Sequence, residues 1–349
     1  MHAPLGTAED LPADFRDAMQ NARVTALWPM MRDVLPRDNP HGLTRPWHWV
    51  YEQIRPLLMR SGSLTPLEKA ERRVLVLGDP GRGPGALQAT SSIYLGLQLL
   101  LPGEVAAAHK HTPSAARIVV EGDGAYTTVN GERCPMQPGD LILTPGGQWH
   151  EHGHEGREPV VWLDVLDLPL FMYLEGSYSV EGEAQAAGSR PDVPQTGYSV
   201  AGLLPRRPAT QVRRAYPLLR YAWNRVRPAL LDMAKLTGET QPTELAYVNP
   251  EDGEPCLPTL GFTAMLLKPA ATYQPMRCSS SAVFHVVDGE GTSCVNGKEI
   301  HWHSGDSFSA PVFATIRHVA ATGSPAFMIR VDDAPLQIKL GYYEERPAG

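Results

Sequence analysis

The strongest constraint on the fold is an internal duplication. The stretch VVEGDGAYTTVNGERCPMQPGDLILTP (residues 119–145) can be laid over VVDGEGTSCVNGKEIHWHSGDSFSAP (residues 286–311). A Gly-x-Gly, an Asn-Gly and a Gly-Asp coincide in the two stretches, at an offset of 167 residues that falls to 166. A repeat of this size indicates two copies of one domain. The short β-rich runs between glycine turns favour a small barrel or jelly roll.

The chain divides into four segments. Residues 1–87 mix helical periodicity with turns, which predicts a helical arm and lead-in that packs on something else. Residues 88–172 and 259–349 carry the two β-rich copies, and residues 173–258 are loop-rich with one packing helix. We therefore expect an all-β protein of two jelly-roll barrels, with an N-terminal helical arm and a helical linker between the barrels.

Composition excludes several classes of function. No apolar run approaches the roughly 20 residues that span a bilayer, and the acidic start lacks the apolar core of a secretory signal. The net charge of -7 comes without a basic block, which argues against nucleic acid as a partner. The four cysteines are scattered and fit neither a disulfide framework nor a CxxC metal clip, so we expect a cytoplasmic protein.

The stretch AHKHTPSAAR (residues 108–117) places His109 and His111 two apart on what reads as an extended strand. Side chains two apart on a strand point to the same face. The two imidazoles therefore either bind one metal ion or form a solvated polar pair, and this pattern alone leaves both readings open.

The first copy resembles the cupin family. Gly103, the pentapeptide EVAAA and His-Lys-His match the first cupin motif, while PGD (residues 138–140) and PGGQWH (residues 145–150) match the second. The resemblance implies a bicupin whose N-terminal barrel binds a metal ion through His109, His111 and His150.

The glutamate that most metal-binding cupins carry would fall at position 115, which is Ala115. Three neutral imidazoles then leave several positions open on the metal, which favours catalysis over a structural role. Because the protein does not compensate the charge of the ion, an anionic bidentate substrate is the expected counter-ligand.

The second copy lacks these ligands. The overlay places Met276, Cys278 and Ile316 where the first copy has its three histidines. We expect the C-terminal barrel to be metal-free and to serve packing and assembly, with Ile316 filling the former site. A Met-Cys copper site is the alternative, and no third soft ligand supports it.

Other polar residues lie near the motifs. Arg117 follows His111 by six residues and is expected on the same face of a straight strand, and His152 follows His150 by two. Tyr94 and Gln98 precede the first motif, and Arg73 precedes the barrel. An arginine holds a carboxylate with two hydrogen bonds, although a surface salt bridge is an equal reading for each arginine.

A longer part of the chain resembles one particular family of bicupins. The run from EKAERRVLVLGDPG to the second cupin motif, with the LGYYEE ending, resembles the gentisate 1,2-dioxygenase family of bicupins with its salicylate and 1-hydroxy-2-naphthoate relatives. The resemblance implies an extradiol-type dioxygenase with one Fe(II) per subunit, and a homotetramer. It implies substrate-carboxylate contacts from Arg73 and Arg117, a place near the substrate hydroxyl for His152, and a role for Asp164 in the following strand.

The resemblance also implies the reaction. The substrate carboxylate and the neighbouring hydroxyl bind the iron, and the ring is cut between the carbons that carry them, with both atoms of O2 retained. His152 is a candidate for handling the hydroxyl proton, or it only shapes the pocket.

The substrate is expected to depend on two positions. This chain has Tyr94 where family members commonly carry tryptophan, and Gly96 removes a methyl group from the pocket wall. Gentisate is the default substrate, with salicylate or a 5-substituted salicylate such as 5-nitrosalicylate as the close rival. Two other classes stay open: a cupin sugar isomerase, which usually retains the glutamate, and a non-enzymatic sensing or storage bicupin.

Overall fold

The computed structural model describes residues 6–182, 197–199, 203–206, 215–238, 241–271, 273 and 276–347. The chain forms two compact units, one ending at Leu43 and one beginning at Thr44. The first contains α1 (Ala13–Asn21), a 3-10 turn (Trp28–Met30) and α2 (Met31–Val34). None of the residues in these three elements is buried.

The second unit contains the two copies of the β domain. Its helices are α3 (Tyr51–Leu64), α4 (Leu67–Ala70), α5 (Leu168–Tyr173), α6 (Trp223–Ala234) and α7 (Ala334–Leu340), with a 3-10 turn at Pro80–Arg82. The strands before the linker are β1 (Trp47–Trp49), β2 (Arg73–Val76), β3 (Tyr94–Leu100), β4 (Val105–His111), β5 (Ala115–Glu121), β6 (Ala125–Val129), β7 (Glu132–Pro135), β8 (Leu141–Thr144), β9 (His150–His154) and β10 (Val160–Leu166). The later strands are β11 (Ser179–Glu181), β12 (Arg220–Tyr221), β13 (Thr243–Ala246), β14 (Gly261–Leu267), β15 (Met276–Cys278), β16 (Ala282–Asp288), β17 (Glu290–Val295), β18 (Lys298–His303), β19 (Ser307–Ala310), β20 (Ile316–Ala320), β21 (Ala326–Asp332) and β22 (Glu345–Pro347).

Each copy is built from two sheets. The first barrel has the strand orders β12-β8-β5-β10-β3-β2 and β11-β4-β9-β6-β7, and the second has β1-β19-β16-β21-β14-β13 and β18-β17-β20-β15-β22. The prediction of an all-β bicupin with two jelly rolls and a helical arm is confirmed. The Asn-Gly pairs of the repeat form the β6–β7 and β17–β18 turns with positive φ at both residues (46° and 81°; 49° and 82°), the backbone that a two-residue type I′ hairpin requires.

The sheets extend beyond the predicted barrel boundaries, which stay predictions. β2 lies before residue 88, and β11 and β12 lie after residue 172, yet all three pair with strands of the first barrel. The packing helix predicted in the linker is α6. Residues 183–196 of the loop predicted after residue 173 lie outside the described residues.

The duplication covers more of the chain than the sequence overlay indicated. α3 contains IRPLL and α6 contains VRPAL, and each helix carries its proline in the interior. The strand before each helix crosses to the other barrel: β1, which precedes the first barrel, pairs with β19 of the second, and β12, which precedes the second barrel, pairs with β8 of the first. Asp306 accepts a hydrogen bond from the backbone NH of Tyr51, and Asp140 from that of Trp223, both at 2.8 Å.

Two apolar cores hold the unit together. The larger core includes Trp162 and joins the first barrel to residues of β14, β16 and β21, while the smaller core surrounds Trp302 inside the second barrel. The four cysteines, all within the described residues, form no disulfide, and Cys134 and Cys256 are buried. Within the described part of the chain, no helix is long and apolar enough to cross a membrane.

Candidate metal and substrate site

Three histidines meet inside the first barrel. β4 carries His109 and His111, β9 carries His150, and the two strands pair with His109 opposite His150. The ring centroids are 4.1 Å apart for His109 and His150, 4.8 Å for His111 and His150, and 5.4 Å for His109 and His111. One nitrogen from each ring lies within 4.8 Å of the others, so the group can hold a metal ion.

Backbone carbonyls orient the rings. The Nδ1 atoms lie 2.7 Å from the Pro113 oxygen for His111, 2.9 Å from the Gln148 oxygen for His150, and 3.2 Å from the Ala107 oxygen for His109. A carbonyl accepts only, so Nδ1 of His111 and of His150 carries the proton and leaves a lone pair on Nε2. His109 Nδ1 also faces the guanidinium of Arg72, which only donates, so the Ala107 contact does not assign its proton. His150 Nε2 is buried without a partner, which is costly unless an ion fills the role.

The electrostatics also suit a metal. Burial, followed by the charge of Arg72, lowers the pKa of His109 to about 3. Burial lowers the pKa of His111 to about 4 and that of His150 still further. All three rings are therefore neutral at pH 7, which is the form that ligates a metal.

A protein carboxylate is not part of this group among the residues described. Ala115 is buried on β5 and pairs with Thr144 of β8. Its methyl group supplies no donor atom, so the cluster offers three nitrogen ligands where a cupin glutamate would add an oxygen.

Arg117 lies beside the cluster, although not for the predicted reason. β4 ends at His111 and β5 begins at Ala115, so the two residues belong to different strands in different sheets, and the prediction of one straight strand is wrong. The Arg117 Nε lies 3.2 Å from Asp164 Oδ1, and its Nη1 donates to Thr144 Oγ1 at 2.7 Å. The Trp162 indole donates to the same Asp164 oxygen at 3.0 Å.

This ion pair is fully inside the protein. Burial lowers the pKa of Arg117 to about 10, with Asp164 acting in the opposite direction. Burial raises the pKa of Asp164, and Arg117 opposes that shift. The carboxylate fixes the guanidinium beside the histidines, where it attracts an anion.

Arg73 and its neighbour Arg72 have different partners. The Arg73 guanidinium donates to the Gly62 oxygen and pairs with Glu104. Arg72 reaches the cluster instead, with Nη2 2.5 Å from His109 Nδ1, and lines a cavity of about 560 Å³ together with His109. Glu71, with a φ of 54°, changes the chain direction just before β2, so strand alternation does not indicate which arginine faces the site.

Two more of the predicted substrate-binding residues have a buried nitrogen without a hydrogen-bond partner. Gln98 Nε2 and His152 Nε2 are both buried and make no hydrogen bond. The His152 ring lies 5.8 Å from that of His150, and its Nδ1 is 2.9 Å from Thr127 Oγ1. Burial, then the charge of Arg117, holds the pKa of His152 well below its usual value, so this ring is neutral at pH 7.

Tyr94 and Gly96 lie on β3 next to the ion pair. Asp164 pairs with Gly96 across the sheet, and its charge adds to burial in raising the pKa of Tyr94. A Cβ on Gly96 would come within 2.4 Å of Val74 Cγ1 and 2.7 Å of the Tyr94 hydroxyl oxygen. Glycine is thus the only residue that fits between these two side chains without displacing one of them.

The second barrel has an equivalent strand pair, but different side chains occupy the positions of the histidines. Met276 pairs with Ile316 as His109 pairs with His150. The Cys278 Sγ lies 3.1 Å from Ser280 Oγ, and half-buried Ile316 packs against the smaller core. The register agrees with the overlay that placed these residues at the ligand positions.

Known proteins are similar to this chain in both fold and sequence. A family model of the cupin domain matches residues 96–166. A gentisate 1,2-dioxygenase of a Ralstonia species is 47% identical over 99% of this chain and 97% of its own length, and a 5-aminosalicylate 1,2-dioxygenase of a Comamonas species is 36% identical over 99% and 92%. The crystal structure of a salicylate 1,2-dioxygenase from Pseudoaminobacter salicylatoxidans in adducts with gentisate has a TM-score of 0.90 at 28% identity, covering 99% of this chain and 96% of that one.

Fold and site define a bicupin with a three-histidine cluster in its first barrel that can hold a metal ion, and the relatives place it in the dioxygenase class of oxidoreductases. The chain belongs to the gentisate 1,2-dioxygenase family.

Proposed function

We propose that this protein is an Fe(II)-dependent dioxygenase that opens the ring of gentisate between the carbons that carry the carboxyl and hydroxyl groups. Salicylate or a 5-substituted salicylate is the rival substrate. The observation that supports this most is that three neutral imidazoles converge next to two arginines, with no carboxylate of the described residues in the group. Iron held by His109, His111 and His150 would bring the aromatic acid and O2 together and pass electron density between them.

The arginines account for an anionic substrate. Arg72 and Arg117 place two guanidinium groups beside the histidines, and Asp164 pairs with Arg117. Arg117 is already held by Asp164 and Thr144, and a guanidinium fixed in this way is prepared to bind a carboxylate. The 5-aminosalicylate relative and the gentisate adducts of the salicylate enzyme are in keeping with an ortho-hydroxy aromatic acid.

The unpartnered atoms account for orientation. Gln98 Nε2 is a donor that an oxygen of the acid would satisfy, and His152 Nε2 faces the same interior. A substrate hydroxyl beside His152 Nε2 would give this nitrogen a hydrogen-bond partner. The imidazole could then accept the proton of the hydroxyl group.

Oxygen uptake tests the proposal. The protein is freed of metal, loaded with iron under anaerobic conditions, and mixed with air-saturated gentisate, salicylate or 5-nitrosalicylate. Consumption of one O2 for each ring opened is expected, and the relative rates rank the substrates. A sensing or storage bicupin would consume no oxygen and a sugar isomerase would ignore aromatic acids, so either result overturns the proposal.

Two adjacent arginines provide a matched comparison. R72M is expected to raise KM for the acid because it removes a positive charge from the pocket. R73M is expected to lower stability, since Glu104 loses its partner, with KM unchanged. The reverse pattern would return the substrate contact to Arg73, where the sequence had placed it.

The assembly and location are inferred from the family resemblance. We infer a homotetramer in the cytoplasm. Gel filtration with light scattering tests the first and cell fractionation the second; a stable monomer would refute the tetramer.

A further inference from the structure

A hydrogen-bonded pair stands behind His152. Thr127 of β6 lies directly opposite His152 of β9, and both side chains are fully buried. The Thr127 Oγ1 is 2.9 Å from His152 Nδ1 and 3.6 Å from the sulfur of buried Met136. Thr127 therefore touches the histidine on the side away from its unpartnered Nε2.

The neighbours of this hydroxyl decide where the imidazole proton lies. A thioether sulfur accepts and never donates. If Thr127 donates to Met136, its oxygen accepts from His152 Nδ1-H, and two hydrogen bonds form. If Thr127 donates to Nδ1, only one forms, and a proton is left on Nε2 without a partner. Buried polar groups favour the arrangement with more bonds.

The second barrel contains an equivalent pair in a different setting. Ser293 lies opposite His318 with Oγ 2.7 Å from Nδ1, in the register of Thr127 and His152. Here the Trp302 indole donates to Ser293 Oγ at 2.8 Å. The Ser293 oxygen has a second lone pair, so it can accept from His318 Nδ1-H as well as donate to Nδ1, and two hydrogen bonds form either way. This pair therefore does not select one tautomer, in contrast to Thr127 and His152.

We propose that Thr127 and Met136 are positioning residues that hold His152 with its proton on Nδ1 and a bare Nε2 facing the substrate. The role rests on the proposed function, in which a phenolic hydroxyl meets His152. The bare Nε2 would accept a hydrogen bond from the substrate hydroxyl. The opposite tautomer would present an N–H there and could not accept it.

Nitrogen NMR tests the tautomer directly. In iron-free protein with ¹⁵N-labelled histidine, long-range ¹H–¹⁵N correlations distinguish the protonated ring nitrogen from the bare one, and H152Q and H318Q identify the two rings. His152 is expected with the proton on Nδ1, and His318 is the reference ring whose serine partner does not select a tautomer. M136L, which removes the sulfur acceptor, should move His152 towards the Nε2-H form. An Nε2 proton on His152 in the parent protein would overturn the proposal.

Kinetics tests the consequence. In iron-loaded enzyme, T127V should lower kcat and kcat/KM together by about 10- to 100-fold, the scale of one lost buried hydrogen bond between His152 and the substrate. T127S should restore most of the rate, and bound iron should stay equal in all variants. The matched variant S293A, in the second barrel, should leave turnover unchanged. Full activity in T127V with an active parent would refute the positioning role alone; a parent inactive on aromatic acids would refute the proposed function while the NMR result still stands.

Discussion

D164N should destabilise the protein far more than its small change in volume indicates. Arg117 and Asp164 are buried at 4% and 8% side-chain exposure, with Nε and Oδ1 3.2 Å apart. Coulomb's law with an effective dielectric constant of about 20 gives about 5 kcal/mol for such a pair. Breaking one buried pair by removing a partner costs about 3–5 kcal/mol. Asparagine keeps an oxygen that can accept from the Trp162 indole. The loss of stability in D164N therefore measures the effect of removing the negative charge.

Urea unfolding measures the effect. With a slope of about 3 kcal/mol/M, suitable for a chain of this length, the midpoint of D164N should fall by more than about 1 M. The control is E155Q, which removes an exposed ion pair with Arg133 of similar length (2.6 Å) and should leave the midpoint unchanged. Under the proposed function, gentisate should raise the midpoint of D164N by more than that of the parent, because its carboxylate replaces the lost charge beside Arg117. A midpoint for ligand-free D164N within about 0.3 M of the parent would refute the reasoning.

Three further predictions follow from the site and the interface between the barrels. H111A should lose bound iron, measured by mass spectrometry, together with oxygen uptake; retained turnover would contradict the ligand assignment. G96A should narrow the substrate range towards gentisate, since the new methyl group must displace Val74 or Tyr94, and an unchanged rate ratio of salicylate to gentisate would contradict it. Burial raises the pKa of Asp167 to about 6, so its stabilising contribution is present below about pH 4 and is lost as pH rises through 6, a change of about 3 kcal/mol. D167N should remove that part of the pH dependence of unfolding; an unaltered profile would show that Asp167 titrates normally.

The sequence predicted the fold through features that survive in both copies. Glycine turns and Asn-Gly pairs are local requirements of the backbone, so they can be read without tertiary information. The three histidines that meet in the first barrel followed from the cupin motifs, whose spacing reflects strand pairing. Gln98 and His152 could be named in the same way, because each lies in a regular strand.

What could not be predicted depended on long-range packing. Glu71 turns the chain before β2, which is why Arg72 and not Arg73 reaches the histidines. Thr127 gave no signal of its own, since its role exists only opposite His152 on another strand. The IRPLL and VRPAL pair was visible, but five residues are too short to mark a repeat before the helices are seen to occupy equivalent places.

The exchange of β1 and β12 has a consequence for how the chain can be divided. Cutting the protein between the repeats would leave each half with a strand built for its counterpart, and each barrel with an uncovered sheet edge. Two separately produced halves would therefore bind each other by exchanging β1 and β12, as the subunits of a domain-swapped dimer do.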